Sequence, residues 1–211
     1  MKKMLFILLV LLSVIAFAKP NFIEGQLRTQ ARIGTPLALT RPLDFVNRTD
    51  SGEYKSLLLL GLEAGYRIGR DFELTFTLTT DSHVWDQSPG YTVDISATSI
   101  ALGCNAYLIP NLTGLFRLYG HLELGISFHG SDIRDSASKS YSTGYGFGLG
   151  VGAQVFFGET FFVEPFVLYR LHGNDNYSQD PGSGGVVYTE KGYEGGMPMT
   201  LGIGLGMGIV F

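Results

Sequence analysis

The sequence predicts an all-β fold, an eight-stranded antiparallel up-and-down transmembrane β-barrel. Two observations predict it. Eight segments of the 211-residue chain alternate apolar with polar or small residues, and the connections between these segments alternate between short and long. A period of two places successive side chains on opposite faces of a strand, so each segment has one apolar face. After residue 18, no apolar stretch approaches the roughly 20 residues that a spanning helix needs, so the chain would cross a membrane only with strands.

The last segment shows the alternation most clearly. From about Met197, glycine alternates with large apolar residues, and the sequence closes on an aromatic residue. Large apolar side chains opposite glycine do not suit a helix. This run resembles the C-terminal signal of bacterial outer-membrane β-barrel proteins, which the barrel-assembly machinery reads. The residues that would contact that machinery are Leu205, Met207, Ile209 and Phe211.

The N-terminus has the features of a secretory signal peptide. Two lysines precede an apolar run, Met4 to Phe17, and Ala16-Phe17-Ala18 supplies the small residues of a cleavage site. The run is too short for a comfortable spanning helix. We therefore expect residues 1–18 to be a signal peptide and residues 19–211 to form one barrel domain. A retained membrane anchor is the alternative.

The first four predicted strands are amphipathic, and one of them is irregular. Their predicted bounds are Phe22–Ile33, Tyr54–Ile68, Phe72–Thr80 and Tyr91–Leu108. The third strand alternates almost perfectly. In the fourth, the apolar residues change parity midway, so we expect a one-residue β-bulge near Thr98 and Ser99.

The other four predicted strands keep one parity throughout. Their predicted bounds are Leu115–His129, Gly144–Phe157, Phe161–His172 and the last segment from about Met197. Glycines occupy the non-apolar face of the sixth and eighth strands, and the seventh places Phe162, Phe166 and Leu168 on the same side. Small residues beside large ones fill a narrow interior without voids. The functional alternative is an apolar crevice for an acyl chain, also lined by Leu57 and Leu59.

The connections alternate in length along the chain. Short turns are predicted at residues 69–71, 109–114 and 158–160, and long polar loops at residues 34–53, 81–90, 130–142 and 173–196. Outer-membrane barrels have short periplasmic turns and long extracellular loops. Trp85 lies in the second predicted loop, where it would either contact a partner or cover the barrel mouth.

The apolar face is predicted to face lipid. It carries more bulky side chains than an eight-stranded interior can hold, since roughly 12 fill a tightly packed parallel barrel. Aromatic residues are also expected in two bands, as membrane interfaces favour. The bands comprise Tyr66, Phe72, Tyr107, Phe116, Phe157, Phe161 and Phe211 near the short turns, and Tyr91, Phe128, Tyr145 and Tyr169 near the long loops. We expect Leu205→Arg on the lipid side to damage folding more than Gly204→Ser on the other side.

The opposite face would line the lumen with charges that nearly cancel. The predicted lumen network consists of Glu24, Arg28, Arg32, Glu63, Arg67, Glu73, Arg117, Glu123, Glu164 and Arg170. Charges shielded from water need partners. We therefore expect an ion-pair network that plugs the barrel and leaves no open pore. A proton relay or a substrate site is the alternative use of these charges.

Motifs for chemistry are sparse. The net charge of -4 gives no basic surface for nucleic acid, and Cys104 alone allows neither an internal disulfide nor zinc-finger spacing. His129-Gly130-Ser131 resembles the His-x-Ser element of outer-membrane lipid A deacylases. The nearby carboxylates, Asp132 and Asp135, do not match the downstream glutamate of that element. We expect no catalytic residues, no metal site and no cofactor.

Taken as a whole, the predicted barrel resembles the small eight-stranded outer-membrane proteins of the OmpA transmembrane domain and OmpX type. The resemblance implies contact with outer-membrane lipid and a structural, adhesive or surface-interaction role, with a cell-surface or host ligand at the loops. The peptidoglycan-binding module of OmpA-like proteins is not expected after Phe211. Fold alone does not decide the role. The alternatives are an outer-leaflet lipid-modifying enzyme and a narrow porin-like conduit or hydrophobic-ligand carrier.

Overall fold

The chain forms a β-structure throughout the part that the computed structural model describes. The described residues are 25–39, 52–87, 91–108, 115–134, 139–173, 176–180, 188–191 and 199–211. Their strands are β1 (Leu27–Ala38), β2 (Gly52–Arg67), β3 (Phe72–Gln87), β4 (Tyr91–Tyr107), β5 (Phe116–Ile133), β6 (Lys139–Phe157), β7 (Phe161–His172), β8 (Asn176–Asp180), β9 (Tyr188–Lys191) and β10 (Met199–Val210). The predicted signal peptide, Glu24 and Asp135 lie outside the described residues.

Eight of these strands close into a barrel. Neighbours are antiparallel in the order β5-β4-β3-β2-β1-β10-β7-β6, and the pairing of β5 with β6 closes the ring. Strands β8 and β9 extend the sheet beyond the barrel at the Lys139 end of β6. The predicted fold class is confirmed. Among the described residues, no helix is long and apolar enough to cross a membrane.

On the long-loop side, the strands run further than predicted. Strand β3 continues to Gln87, β5 to Ile133 and β1 to Ala38, while β6 begins at Lys139. The predicted loops 34–53, 81–90, 130–142 and 173–196 are therefore wrong in part, because each contains strand residues. Hydrophobic periodicity finds a strand only where one face is buried and the other is not. The apolar belt is the band of the outer face that carries exposed, large apolar side chains. Above this belt the outer face is in water, so its residues are polar and the alternation that marks a strand is lost.

The predicted bulge in β4 is wrong. Strand β4 keeps an unbroken register with β3 and β5 through Thr98 and Ser99. Val93, Ile95 and Ala97 point inward and are buried, so the change of apolar parity marks a change in the lumen and no slip of the strand. Strand β4 thus contributes polar side chains to the lumen at mid-height and apolar side chains toward the long-loop end.

A bulge lies instead in β2, between Ser56 and Leu58. It leaves both Leu57 and Leu58 exposed, while Leu59 is buried. Leu57 therefore does not join Leu59 inside the barrel, as the alternative of an acyl-chain crevice would require. Trp85 also differs from the expectation, because it belongs to β3 and is buried rather than in a loop.

The barrel exterior is apolar, as expected for a wall in lipid. Large apolar side chains such as Leu62, Phe76, Leu102 and Leu124 are exposed on its outer face, where hydrocarbon replaces water. Tyr107 is a correction to the predicted aromatic bands, since it points inward and is 4% exposed. Tyr107 is two residues after Asn105 in β4, so both side chains point into the lumen. Hydrophobicity alone assigned Tyr107 to the lipid-facing side of the strand.

Close packing fixes two glycines at the seam between β1 and β10. Gly34 faces Gly204 directly. A Cβ atom on Gly204 would clash with the carbonyl oxygen of Ile33 and lie 2.7 Å from Cα of Gly34. These are backbone atoms, which cannot move aside without opening the seam. Gly204→Ser therefore carries a steric cost that the comparison with Leu205→Arg did not include.

Two glycines on the same face of β10 give a matched test of this seam. We expect Gly204→Ala to cost about 1–3 kcal/mol or more through overpacking. Gly206→Ala should be much milder, because its Cβ would meet Arg32 Cγ and Glu164 Cβ at 3.4 Å. Urea unfolding of both variants in lipid vesicles measures the difference. Equal stability would contradict the seam argument.

Candidate functional site: the ion-paired lumen

Two arginines of β1 are at the centre of the lumen. Arg28 forms ion pairs with Glu63 of β2 and with Glu73 of β3, and its Nε atom donates to Glu73 Oε1 at 2.9 Å. All three side chains are buried. The alternation of β1, β2 and β3 brings them to one interior face. The bonds therefore connect three neighbouring strands from inside.

Arg32 continues this cluster across the barrel. It contacts Glu63 Oε2 at 2.6 Å and Glu164 Oε1 of β7 at 2.9 Å, and it donates to the Tyr119 hydroxyl of β5 at 3.1 Å. Gln30 also donates to Glu164, at 2.9 Å. A buried carboxylate shared by several donors meets the condition under which buried charge is tolerated. Glu63 binds both arginines, so the two ion-pair groups form one unit.

A second cluster lies higher in the lumen, around Arg170 of β7. Its Nε atom is 2.8 Å from Glu123 Oε1, and its Nη2 atom donates to Thr79 Oγ1 at 2.7 Å. Its Nη1 atom lies 3.6 Å from Asp81 Oδ1. The guanidinium therefore links β7 to β5 and β3.

Polar side chains join the two clusters. Asn105 donates to Glu73 Oε1 at 3.0 Å, and its Oδ1 atom lies 2.6 Å from His121 Nδ1. The other ring nitrogen of His121 lies 3.1 Å from Glu123 Oε2. A continuous path of contacts therefore runs from Arg28 to Arg170.

At the short-turn end of the lumen, backbone carbonyls and aromatic rings take the place of ion pairs. Arg67 donates to the carbonyl oxygens of Gly69 and Arg70 in the turn. The guanidinium of Arg117 lies 4.7 Å from the Phe156 ring centre, within the range of a cation–π contact. Below the ion pairs, Phe156 packs with Phe162 and Val210 in a buried apolar cluster. Aromatic rings thus replace carboxylates as the main neighbours of Arg117.

The structure brings most of the predicted lumen residues together. Nine of the ten lie in the described part of the chain, and all nine are buried. Seven of them, all except Arg67 and Arg117, form the connected network through ion pairs and the Asn105–His121 link. Sequence reasoning missed Asp81, because it placed that residue in a loop. Its spacing of eight from Glu73 was the available signal, since it gives both residues the same parity.

The predicted assembly residues lie on the outer face of the last strand. The side chains of Leu205, Met207, Ile209 and Phe211 are all exposed. Strand β10 pairs with β1 on one side and with β7 on the other, so it joins the first strand of the chain to the rest of the barrel. Contact of these residues with the assembly machinery stays a prediction.

The His-x-Ser segment is part of the upper lumen. His129 is buried, with its Nε2 atom 3.2 Å from Ser127 Oγ and its ring 5.1 Å from that of His172. Asp132 has the opposite parity and pairs with Lys139 at 3.0 Å. Within the described residues, no three histidines, cysteines or carboxylates form a metal-binding group.

The apolar exterior, the closed ring of strands and the buried interior charges together define an outer-membrane β-barrel. A polar core inside an apolar wall is the reverse of a soluble barrel. The chain belongs to the family described as outer membrane protein beta-barrel domain, whose model matches residues 4–189. It is an outer-membrane protein.

Solved structures share this fold. A major outer membrane protein from Thermus thermophilus is 12% identical, with a TM-score of 0.61 over 88% of this chain and 99% of that one. OprG from Pseudomonas aeruginosa is 16% identical, with a TM-score of 0.57 over 90% and 98%. Ail, the attachment invasion locus protein of Yersinia pestis, is 14% identical, with a TM-score of 0.52 over 90% and 100%. Such low identities support the fold alone. No curated protein matches the sequence.

Proposed function

We propose that this protein is a plugged, non-enzymatic outer-membrane barrel with an envelope-structural or surface-interaction role. The single observation that carries the proposal is the connected network from Arg28 to Arg170. An eight-stranded barrel has an interior only just wide enough for side chains. Here that space holds bonded charges and aromatic rings, so a water-filled pore has no room.

Apolar packing adds to the plug. Leu59, Phe166 and Leu168 form a buried cluster on one side of the lumen. Arg32 lies over the Phe166 ring at 5.1 Å. This contact joins the apolar cluster to the ion pairs, which favours packing over the alternative of an open acyl-chain crevice.

The strand extensions support a role at the cell surface. Above the apolar belt, exposed ion pairs link neighbouring strands: Lys55 with Asp86, and Arg134 with Asp94. Hydrogen bonds from Arg134 hold the pKa of Asp94 below its usual value. These paired strands extend the barrel wall above the apolar belt, toward the predicted loops. A ligand at those loops is part of the proposal, and Ail is a protein of the same fold that is named for attachment.

Planar-bilayer recording tests the plug. We expect the wild-type barrel to show no stable conductance, because the network and the apolar cluster below it leave no room for a water-filled path. A variant with Glu123→Ser and Arg170→Ser removes the upper ion pair but keeps the net charge. A change in its conductance therefore cannot come from a change in net charge. Its conductance should exceed that of the wild type, and a steady porin-like conductance of the wild type would contradict the proposal.

The two alternative functions predict different experimental results. A lipid-modifying enzyme would change the mass of lipid A when the protein is expressed, and a conduit would conduct in the bilayer experiment. We expect neither change. We further propose that residues 1–18 are removed on export and that Leu205, Met207, Ile209 and Phe211 contact the assembly machinery.

A further inference from the structure

A trough of about 380 Å³, lined by both polar and apolar groups, lies in the barrel wall above the apolar belt. Its lining includes Leu57, Ser82, Ser96, Gly130 and Tyr141. Ser82, Ser96 and Tyr141 have the outward parity of their strands, so the trough opens to the outside of the barrel. The buried, inward-parity residues His83 and Ile95 lie behind its floor.

Strand register explains the shape of the trough. Ser82 is opposite Ser96, Ser96 is opposite Gly130, and Gly130 is opposite Tyr141. Three small residues on β3, β4 and β5 therefore form a floor at one level. Tyr141, which is 52% exposed, stands at the β6 end. Leu57, which the β2 bulge leaves 53% exposed, stands at the other end.

Gly130 determines the depth of the floor. A Cβ atom at this position would lie 3.2 Å from Ser96 Oγ and 4.0 Å from Tyr141 Cδ1. A longer side chain at position 130 would therefore occupy the space between Ser96 and the tyrosine ring.

Two ion pairs lie along the upper rim. Arg134 donates to both carboxylate oxygens of Asp94, at 2.8 and 2.7 Å, and Lys139 lies 3.0 Å from Asp132. Both pairs are about half exposed. The rim therefore offers donors and acceptors with no net charge.

The lower edge meets the hydrocarbon. One level below the floor, Thr80 contacts Thr98 at 3.2 Å between hydroxyl oxygens, and Phe128 is exposed beside them. Exposed Leu78 and Ile100 follow one level further down. The trough is thus at the height of the lipid headgroups on the long-loop side, which is the outer leaflet.

We propose that this trough binds a sugar ring in the headgroup of an outer-leaflet glycolipid. The Tyr141 ring presents an apolar face with a polar tip, which suits the apolar face and hydroxyls of a sugar. Serine hydroxyls both donate and accept, and the rim pairs add further partners. An acyl chain would leave these polar groups unmatched, and a free anion would meet as many carboxylates as cations. The volume suits a small ligand, and the adjoining hydrocarbon edge favours a lipid-anchored sugar over a soluble one.

Lipid retention tests this assignment. Folded wild-type barrel would be placed in phospholipid nanodiscs containing lipopolysaccharide, extracted gently, and weighed by native mass spectrometry. We expect bound lipopolysaccharide to fall at least about fivefold for Tyr141→Ala, which removes the ring, and for Gly130→Asn, which fills the floor. Tyr145→Ala is the matched control, because Tyr145 is an exposed tyrosine of the same strand outside the trough lining. It should retain lipid like the wild type.

Each outcome is decisive. A heat-modifiable gel shift checks that every variant is a folded barrel, so loss of lipid is not loss of fold. Retention by both trough variants, or equal loss in Tyr145→Ala, would overturn the inference. Competition by soluble core oligosaccharide as strong as by lipopolysaccharide would overturn the assignment to a lipid headgroup. Neither Glu123 nor Arg170 lines the trough, and neither Gly130 nor Tyr141 belongs to the ion-pair network, so this result and the bilayer recording succeed or fail independently.

Discussion

Glu63→Gln is expected to lower the free energy of unfolding by about 3–5 kcal/mol, the usual cost of removing one partner from a buried ion pair. Glu63 contacts both Arg28 and Arg32 and is fully enclosed. Glutamine has nearly the same shape, so packing is preserved and only the charge is lost. Two buried guanidinium groups would then share fewer carboxylates. Urea unfolding in lipid vesicles measures the change, with the buried Trp85 as the single tryptophan reporter.

A double variant separates this electrostatic effect from packing. If the cost comes from uncompensated charge, adding Arg32→Gln to Glu63→Gln should recover part of the lost stability, because one acid and one base are then removed together. Asp132→Asn provides an exposed comparison. Its pair with Lys139 is about half exposed, and such surface pairs contribute little. An additive loss in the double variant would contradict the charge argument.

Alternation predicted the barrel best where one strand face meets lipid and the other meets the polar lumen. The predicted bounds of Phe161–His172 coincide with β7, because turn-forming residues flank the segment on both sides. Strand β3 begins at Phe72 as predicted, because its apolar and polar parity stay distinct from there to Thr80. At β3 the prediction stopped at Thr80, whereas the strand continues to Gln87. Beyond Thr80 the outer side chains meet headgroups and water, so the contrast that marks a strand disappears.

Parity alone could not predict which lumen charges meet. It placed Arg32 and Glu164 on the inner face, but the two residues are 132 positions apart and meet only because β10 pairs with both β1 and β7, where both are opposite Gly206. Their contact depends on the closure and shear of the ring, which sequence alternation does not contain. The same limit explains Asp81, which joins Arg170 only because β3 is longer than its hydrophobic pattern.

Local backbone geometry was also beyond the sequence pattern. The β2 bulge leaves Leu57 exposed, since one extra residue changes the face of the residues beside it. Gly204 differs from Gly206 for a similar reason. Both alternate with apolar residues, yet only Gly204 meets the backbone of a facing glycine at close range.

Leu205→Arg tests the orientation of the whole barrel. Leu205 lies near the middle of β10, pairs with Ile33 and Pro165, and is 53% exposed. Arginine at the bilayer midplane costs about 2–4 kcal/mol on the lipid face of such barrels, falling to about 0–1 kcal/mol near the interface. We therefore expect Leu205→Arg to lose about 2–4 kcal/mol of stability in lipid vesicles.

Phe211→Arg is the matched control for depth. Phe211 has the same outward direction and is 68% exposed, but it is the last residue, at the short-turn edge of the wall. Refolding into vesicles of pure lipid removes the assembly machinery, so only the cost of the charge in the membrane is measured. The arginine at position 211 can reach the headgroups, whereas the arginine at position 205 is surrounded by hydrocarbon. Equal destabilisation by the two arginines would mean that Leu205 does not face the centre of the bilayer, and the assignment of the apolar face to lipid would fall with it.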